Sequence, residues 1–454
     1  MRTLLYTYFL LASFPVIAQQ FSGGIGDGFS YAEVTDGMNF NSVGGVGDGF
    51  SFGSDISNGI FYFSGGHGDG FSYNELLNSN SSYYVGGIGD GFSFISLEPV
   101  IPPLLCTYVD NNWVGVNGDW SNPSNWSSGT VPDICNNVTI DDPFVVTINP
   151  GVDALARTLN LDGDLHIING GSLSLDGQDT LGHVVEILGG RLYNQGLLAI
   201  ENYGSGSVSR SGIRITSNGV LENNNTISID SIGANTSHGI QIVNGIFTNE
   251  SNSTLTIANG ILANGYGIRN TDSLTNNGNI SMNNFLGLGA IFNQSIFTNN
   301  GTIAITDVRG GILNQDSIFN YGTISGENIS EFPGLKNSRV DSYLSNHTSG
   351  DVEMNNVSDS YMIDNIGSIL NDGNISLLNT SIGGITMDGG TISNNGTLYC
   401  EFHLGIGIFM ESSQLNNAGM LEIVDYSNGL FDGLKNTSQS SIINSGTIHI
   451  IKGL

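Results

Sequence analysis

Through the last two-thirds of the chain, apolar and polar residues alternate in short runs, and the runs return about every 23 positions. Leu274 to Met282 reads LTNNGNISM, Phe297 to Ile305 reads FTNNGTIAI, and Ile369 to Leu377 reads ILNDGNISL. After each turn glycine the second and fourth residues are apolar, as in Ile303 and Ile305, Ile375 and Leu377, Leu421 and Ile423, or Ile448 and Ile450. Period-two alternation predicts a strand with one buried face. A second strand signal precedes the first in each unit, as Gly267 to Asn270, Gly311 to Asn314, Gly334 to Asn337 and Gly433 to Asn436. Heptads are absent, and Gly and Asn are too frequent for helices.

The turn glycines at 278, 301, 322, 350, 373, 396, 419 and 446 are mostly 23 apart, with steps of 21, 27 and 28. That period fits one rung of two or three strands, stacked many times. The expected fold is all-β: a right-handed parallel β-helix over residues 138–454, preceded by a Gly-rich module of four repeats. About thirteen rungs fit, a rod roughly 60 Å long at the inter-strand spacing. Two residues before the glycines stand Asn194, Asn276, Asn299, Asn320, Asn371, Asn394, Asn417 and Asn444. An amide both donates and accepts, so stacked asparagines can bond one another along the rod, and Asn also tolerates a left-handed corner. A ligand-binding row is the alternative to this ladder.

A different repeat fills residues 19–98. Gly23 to Ser30, Gly44 to Ser51, Gly65 to Ser72 and Gly86 to Ser93 share the pattern GGxGDGFS at steps of 21. The reading is an Asp-Gly turn leading into a Phe-Ser-aromatic strand, with a disordered glycine-rich segment as an alternative. The recurring Asp27, Asp48, Asp69 and Asp90 raise calcium as the alternative cofactor. One carboxylate per repeat is a poor site unless neighbouring copies converge. His67 replaces an Ile or Val of the other copies and reads as a tolerated variant.

Residues 1–18 have the form of an export signal: Arg2, an apolar stretch from Leu4 to Phe14, and a small-residue cleavage site ending at Ala18. That run is too short to span a bilayer. The expectation is a secreted or cell-surface protein without a transmembrane segment. Only 11% of residues are charged, and the net charge of −30 reflects 11 Lys plus Arg against 41 acids. Without a basic cluster, nucleic acid is excluded as a partner.

Residues 99–137 combine a stiff linker at Pro99, Pro102 and Pro103 with all three tryptophans, Trp113, Trp120 and Trp126. The tryptophans either cap the first rung or stack on sugar rings. Cys106 and Cys135 flank this segment, and either pair or remain free in an exported protein. Cys400 falls where other rungs place Ile305 and Leu377, and reads as core rather than nucleophile.

The signal, the GGxGDGFS copies, the Trp120 to Trp126 segment and the NNGTI rungs together resemble secreted β-helix surface proteins exported by the type IX pathway of Gram-negative bacteria. The resemblance implies a C-terminal β-sandwich sorting domain. This chain departs from that by keeping the core pattern through Ile448 and Ile450. An open last rung is expected there, covered by a further domain or used for end-to-end self-association.

Some parallel β-helices cleave acidic polysaccharides, which requires acids grouped on one face with a base or calcium. The densest acids, Asp162, Asp164, Asp176 and Asp179, sit in Asp-Gly turn sequences, and the arginines have no partner acid at a repeated offset. The expected function is therefore a non-catalytic structural or adhesive rod on the bacterial surface. A protein that binds surface carbohydrate is the alternative, and a polysaccharide lyase or hydrolase a lesser one.

Overall fold

Every complete turn of the C-terminal unit contributes one short strand to each of three parallel sheets. The computed structural model describes residues 106–452 apart from 178–181, 202–210, 231–237, 261–264, 381, 427–431 and 438, together with the backbone of eight strands between residues 19 and 97. The signal segment with its Ala18 cleavage site, the Pro99 to Pro103 linker, Asp179, and Asp27, Asp48, Asp69 and Asp90 lie outside the described residues. The chain divides into two compact units, Met1–Cys106 and Thr107–Leu454.

In the first unit each 21-residue copy supplies two strands. Gln19–Ser22, Phe40–Val43, Ile60–Ser64 and Ser81–Val85 form one four-stranded sheet, and Phe29–Val34, Phe50–Asp55, Phe71–Leu76 and Phe92–Leu97 form the other. All pairings are parallel, and Phe29, Phe50, Phe71 and Phe92 share one register row. The strand after the Gly-Asp-Gly sequence thus begins at the phenylalanine, where aromatic and Ser residues replace glycine.

In the second unit, sheets I, II and III contain 14, 14 and 13 strands. One turn runs Ile312–Asn314 in sheet I, Ser317–Asn320 in sheet II and Thr323–Ile329 in sheet III. The stack begins before residue 138. Val109–Asn112 already pairs with Asn136–Ile140 in sheet I, and Gly118–Asp119 with Val145–Ile148 in sheet II. The tryptophan segment is therefore itself an incomplete first turn.

Inward residues stack in rows, such as Ile291, Ile312 and Leu335 of sheet I, Phe297, Ile318 and Leu344 of sheet II, and Ile303 and Ile324 of sheet III, all at most 1% exposed. Gly326 stands in the row of Ile305 and Met354, and a β-carbon there would lie 2.6 Å from the Met354 sulfur. The long thioether occupies the space the glycine leaves.

The corner between sheets II and III carries eleven buried or end-of-row asparagines, from Asn194 to Asn444. From Asn194 to Asn417 each Nδ2 donates to the Oδ1 of the asparagine one turn on, at 2.7 to 2.8 Å. The same Nδ2 also donates to the carbonyl that opens the next sheet III strand, for example Asn276 to Thr302 O at 3.2 Å and Asn371 to Thr397 O at 2.8 Å. A second row, Asn270, Asn293, Asn314, Asn337 and Asn365, does the same at the corner between sheets I and II. It ends where Met387 takes the register position after Asn365.

The ladder asparagines do not have left-handed backbones. That conformation belongs to another row at the end of sheet III, with Asn259, Asn284, Asp307, Asn328, Asn356 and Asn379 at φ of 50 to 57°. Asn and Asp accept it at lower cost than other residues with a β-carbon. The turn glycines answer a different need, since a β-carbon on Gly301 would lie 2.0 Å from the Gly278 carbonyl oxygen one turn below.

Candidate functional site

Two clefts of the second unit lie along sheet I. Its strands are so short that one outward column dominates, running in register from Asn112 and Thr139 through Asn160, Glu186, Arg214 and Arg269 to Lys336 and Asp364. In sheet III the two corresponding rows are small and uncharged from Thr226 to Thr323 and from Ser228 to Ser325, and then continue into Asp351 and Asn374 in one and into Glu353, Tyr399 and Glu422 in the other.

Three of the arginines have a partner acid one turn away that the sequence hides. Arg214 Nη1 lies 2.8 Å from Glu186 Oε1, Lys336 Nζ lies 2.6 Å from Asp364 Oδ2, and Arg309 Nε donates to Glu331 at 2.9 Å. Arg191 pairs with Glu222. Each acid lies one turn from its base, but turn length varies, so the separations of 28, 28, 22 and 31 residues hide the relationship.

The first cleft, of about 560 Å³, is lined by Tyr108, Asp110, Asn137, Arg157, Asn160, His183 and Glu186 among others. Asn137 organises it: its Nδ2 donates to Asp110 at 3.0 Å, and its Oδ1 accepts from Thr158 Oγ1 at 3.1 Å and Arg157 Nη1 at 3.5 Å. Arg157 is buried, with its guanidinium 3.4 Å from the centre of the Tyr108 ring. Burial pushes the His183 pKa down, and its Nδ1 accepts from the Ser211 N–H at 3.0 Å. The neutral ring therefore keeps its proton on Nε2 and offers a donor.

The second cleft, of about 320 Å³, lies several turns further along, between Tyr266 and Phe332. Its floor is Gly289, Gly310 and Gly311, where close backbone stacking leaves no room for side chains: a β-carbon on Gly311 would sit 1.9 Å from Gly334 O. The Tyr266 and Phe292 rings are 4.9 Å apart, and the guanidinium groups of Arg269 and Arg309 lie 5.9 and 5.7 Å from the Phe292 and Phe332 ring centres. Behind it His238 is buried with its pKa pushed down to about 4 by desolvation and by the Arg269 charge.

The tryptophans are not available to stack on sugars. Trp113, Trp120 and Trp126 are 3, 0 and 2% exposed, packed edge to face at 4.9 and 4.8 Å over the first core residues. Trp126 Nε1 donates to Trp120 O at 2.7 Å, and the cluster caps the core. Cys400 is fully buried, its thiol pKa raised to about 12 by burial. Cys106 and Cys135 are both disulfide-bonded. Of the acids singled out in turn sequences, Asp164 accepts from the Arg191 N–H at 3.0 Å and Asp162 is exposed at a corner.

Among the described residues no three His, Cys, Asp or Glu side chains form a metal-binding group, and no helix is long and apolar enough to cross a membrane. Compared with known families, curated proteins and solved structures, the chain finds no match. Sequence reasoning missed Tyr108, Asn137 and His183 altogether. They come from different turns and share no motif, and the single signal is that polar residues replace Ser and Thr at outward strand positions.

Proposed function

We propose that this chain is an extracellular structural or adhesive rod of a bacterial surface, exported by its N-terminal signal. The observation that carries the reading is the Asn194 to Asn444 ladder, which repeats one set of contacts through ten successive steps. Regularity of that kind favours length and stiffness, because each turn is held by its neighbours alone.

The non-catalytic part of the reading is supported by the acids on the outer face of sheet I. Glu186 is paired with Arg214, Asp364 with Lys336, and Asp110 holds Asn137. Carboxylates committed in this way are poor general acids or bases for sugar cleavage. The polar cleft beside Tyr108 favours a second reading, that adhesion acts through carbohydrate.

The test is to display the full chain on cells of a non-adherent strain and count attachment to target surfaces, with turnover assays on acidic polysaccharides run beside it. Attachment without product is the expected result. Polysaccharide cleavage, or display with no gain in attachment to any surface, contradicts the proposal.

A further inference from the structure

We infer that the cleft formed by Tyr108, Asp110, Asn137, Arg157, Asn160 and Glu186 is a binding site for a neutral saccharide. The inference rests on the adhesive reading and supplies its ligand. The side chains facing the cleft end almost entirely in hydrogen-bonding groups: amides, hydroxyls, carboxylates, a guanidinium and an imidazole. A sugar ring presents vicinal hydroxyls that each donate and accept, which is the ligand chemistry that amides and carboxylates side by side satisfy.

Charge decides between a neutral and an acidic ring. The lining carries Asp110 and Glu186 beside Arg157, and Arg214, one turn on and outside the lining, neutralises Glu186 at 2.8 Å. A polyanion gains little from a neutralised site and meets two carboxylates in it. The shape is pre-set as well. Arg157 is 8% exposed and covers one face of the Tyr108 ring, while Tyr108 as a residue is 45% exposed and leaves surface for the C–H face of a pyranose. Asn137 fixes Asp110 and Thr158 before any ligand arrives. A volume of about 560 Å³ suits one or two sugar rings.

The experiment uses the full secreted chain on an array of neutral and acidic glycans, followed by calorimetry with the neutral oligosaccharide that binds best. Asn160→Trp fills the cleft and Tyr108→Ala removes its ring. Thr256→Ala, on sheet III, is the control, and thermal melts confirm that each variant folds. The expected result is binding of neutral glycans that falls at least about tenfold in both cleft variants, stays unchanged in the control, and is insensitive to salt.

Undiminished binding by folded Asn160→Trp and Tyr108→Ala overturns the inference, as does binding confined to acidic glycans and abolished by salt. If displayed cells attach to surfaces while no neutral glycan binds, the saccharide site is wrong and the adhesive rod stands. If attachment is also absent, the rod reading fails with it.

Discussion

Asn299 Nδ2 donates to Asn320 Oδ1 at 2.8 Å, and its own Oδ1 accepts from Asn276 at the same distance, so each amide in the row is both supported and supporting. All three side chains are fully buried. Removing one leaves an orphan acceptor on one neighbour and an orphan donor on the other, and each buried orphan costs about 1–3 kcal/mol.

Asn299→Ala should therefore lower the unfolding free energy by about 2–4 kcal/mol. Asn299→Asp should cost more, because a carboxylate can accept from Asn276 but cannot donate to Asn320 and is buried with its charge. Asn444→Ala, at the exposed end of the row, should change stability by less than about 1 kcal/mol. Denaturant unfolding of the three variants checks the order.

The row was legible in the sequence only where a glycine follows two residues later. Asn223, Asn249 and Asn346 belong to it equally, but their corners read NNNT, NESNST and NHTSG, where the glycine is absent or four residues on. The second row was hidden differently. Asn270, Asn314 and Asn337 close strand signals that were visible as strands, and nothing in one dimension says that their side chains point inward at a corner. The core alternation was legible because burial imposes period two on every strand. The cleft was not: Asp110, Asn137 and Thr158 are 27 and 21 residues apart, and they meet only because irregular turn lengths still end in register.

Cys400 should be inert in the folded chain. Its thiol is completely buried, within 3.5 Å of the Gly407 carbonyl, and its raised pKa keeps the thiolate negligible at neutral pH. A bulky thiol reagent should label it only after denaturant is added. Rapid labelling under native conditions contradicts its place in the core.

His238 makes stability depend on pH. Its pKa falls from 6.5 to about 4 on folding, so between these values the unfolded chain binds a proton that the folded chain refuses. The contribution is fully present above pH 6.5 and is lost as pH falls towards 4, up to about 3 kcal/mol. His238→Gln should flatten that part of the profile in urea unfolding measured at pH 7 and pH 4.5.

The tryptophan cap should matter for stability rather than binding. Trp126 is 2% exposed, contacts both other rings, and bonds Trp120 O. Trp126→Ala should cost about 3–5 kcal/mol and expose the Val138 and Ile140 end of the core, read as a lower melting temperature and increased dye binding.

Hydrogen exchange followed peptide by peptide over residues 109–452 tests the three-sheet stack most directly. The account predicts protected amides in the strands of all three sheets in every complete turn, with protection continuing through the tight corners, where the Asn300 N–H donates to Asn276 O and the Gln315 N–H to Asn293 O, both at 2.7 Å, one turn below, and recurring with the repeat of about 23 residues. A run of several consecutive turns exchanging as fast as an unfolded chain, or protection that follows a helical rather than a strand-and-corner pattern, would contradict it.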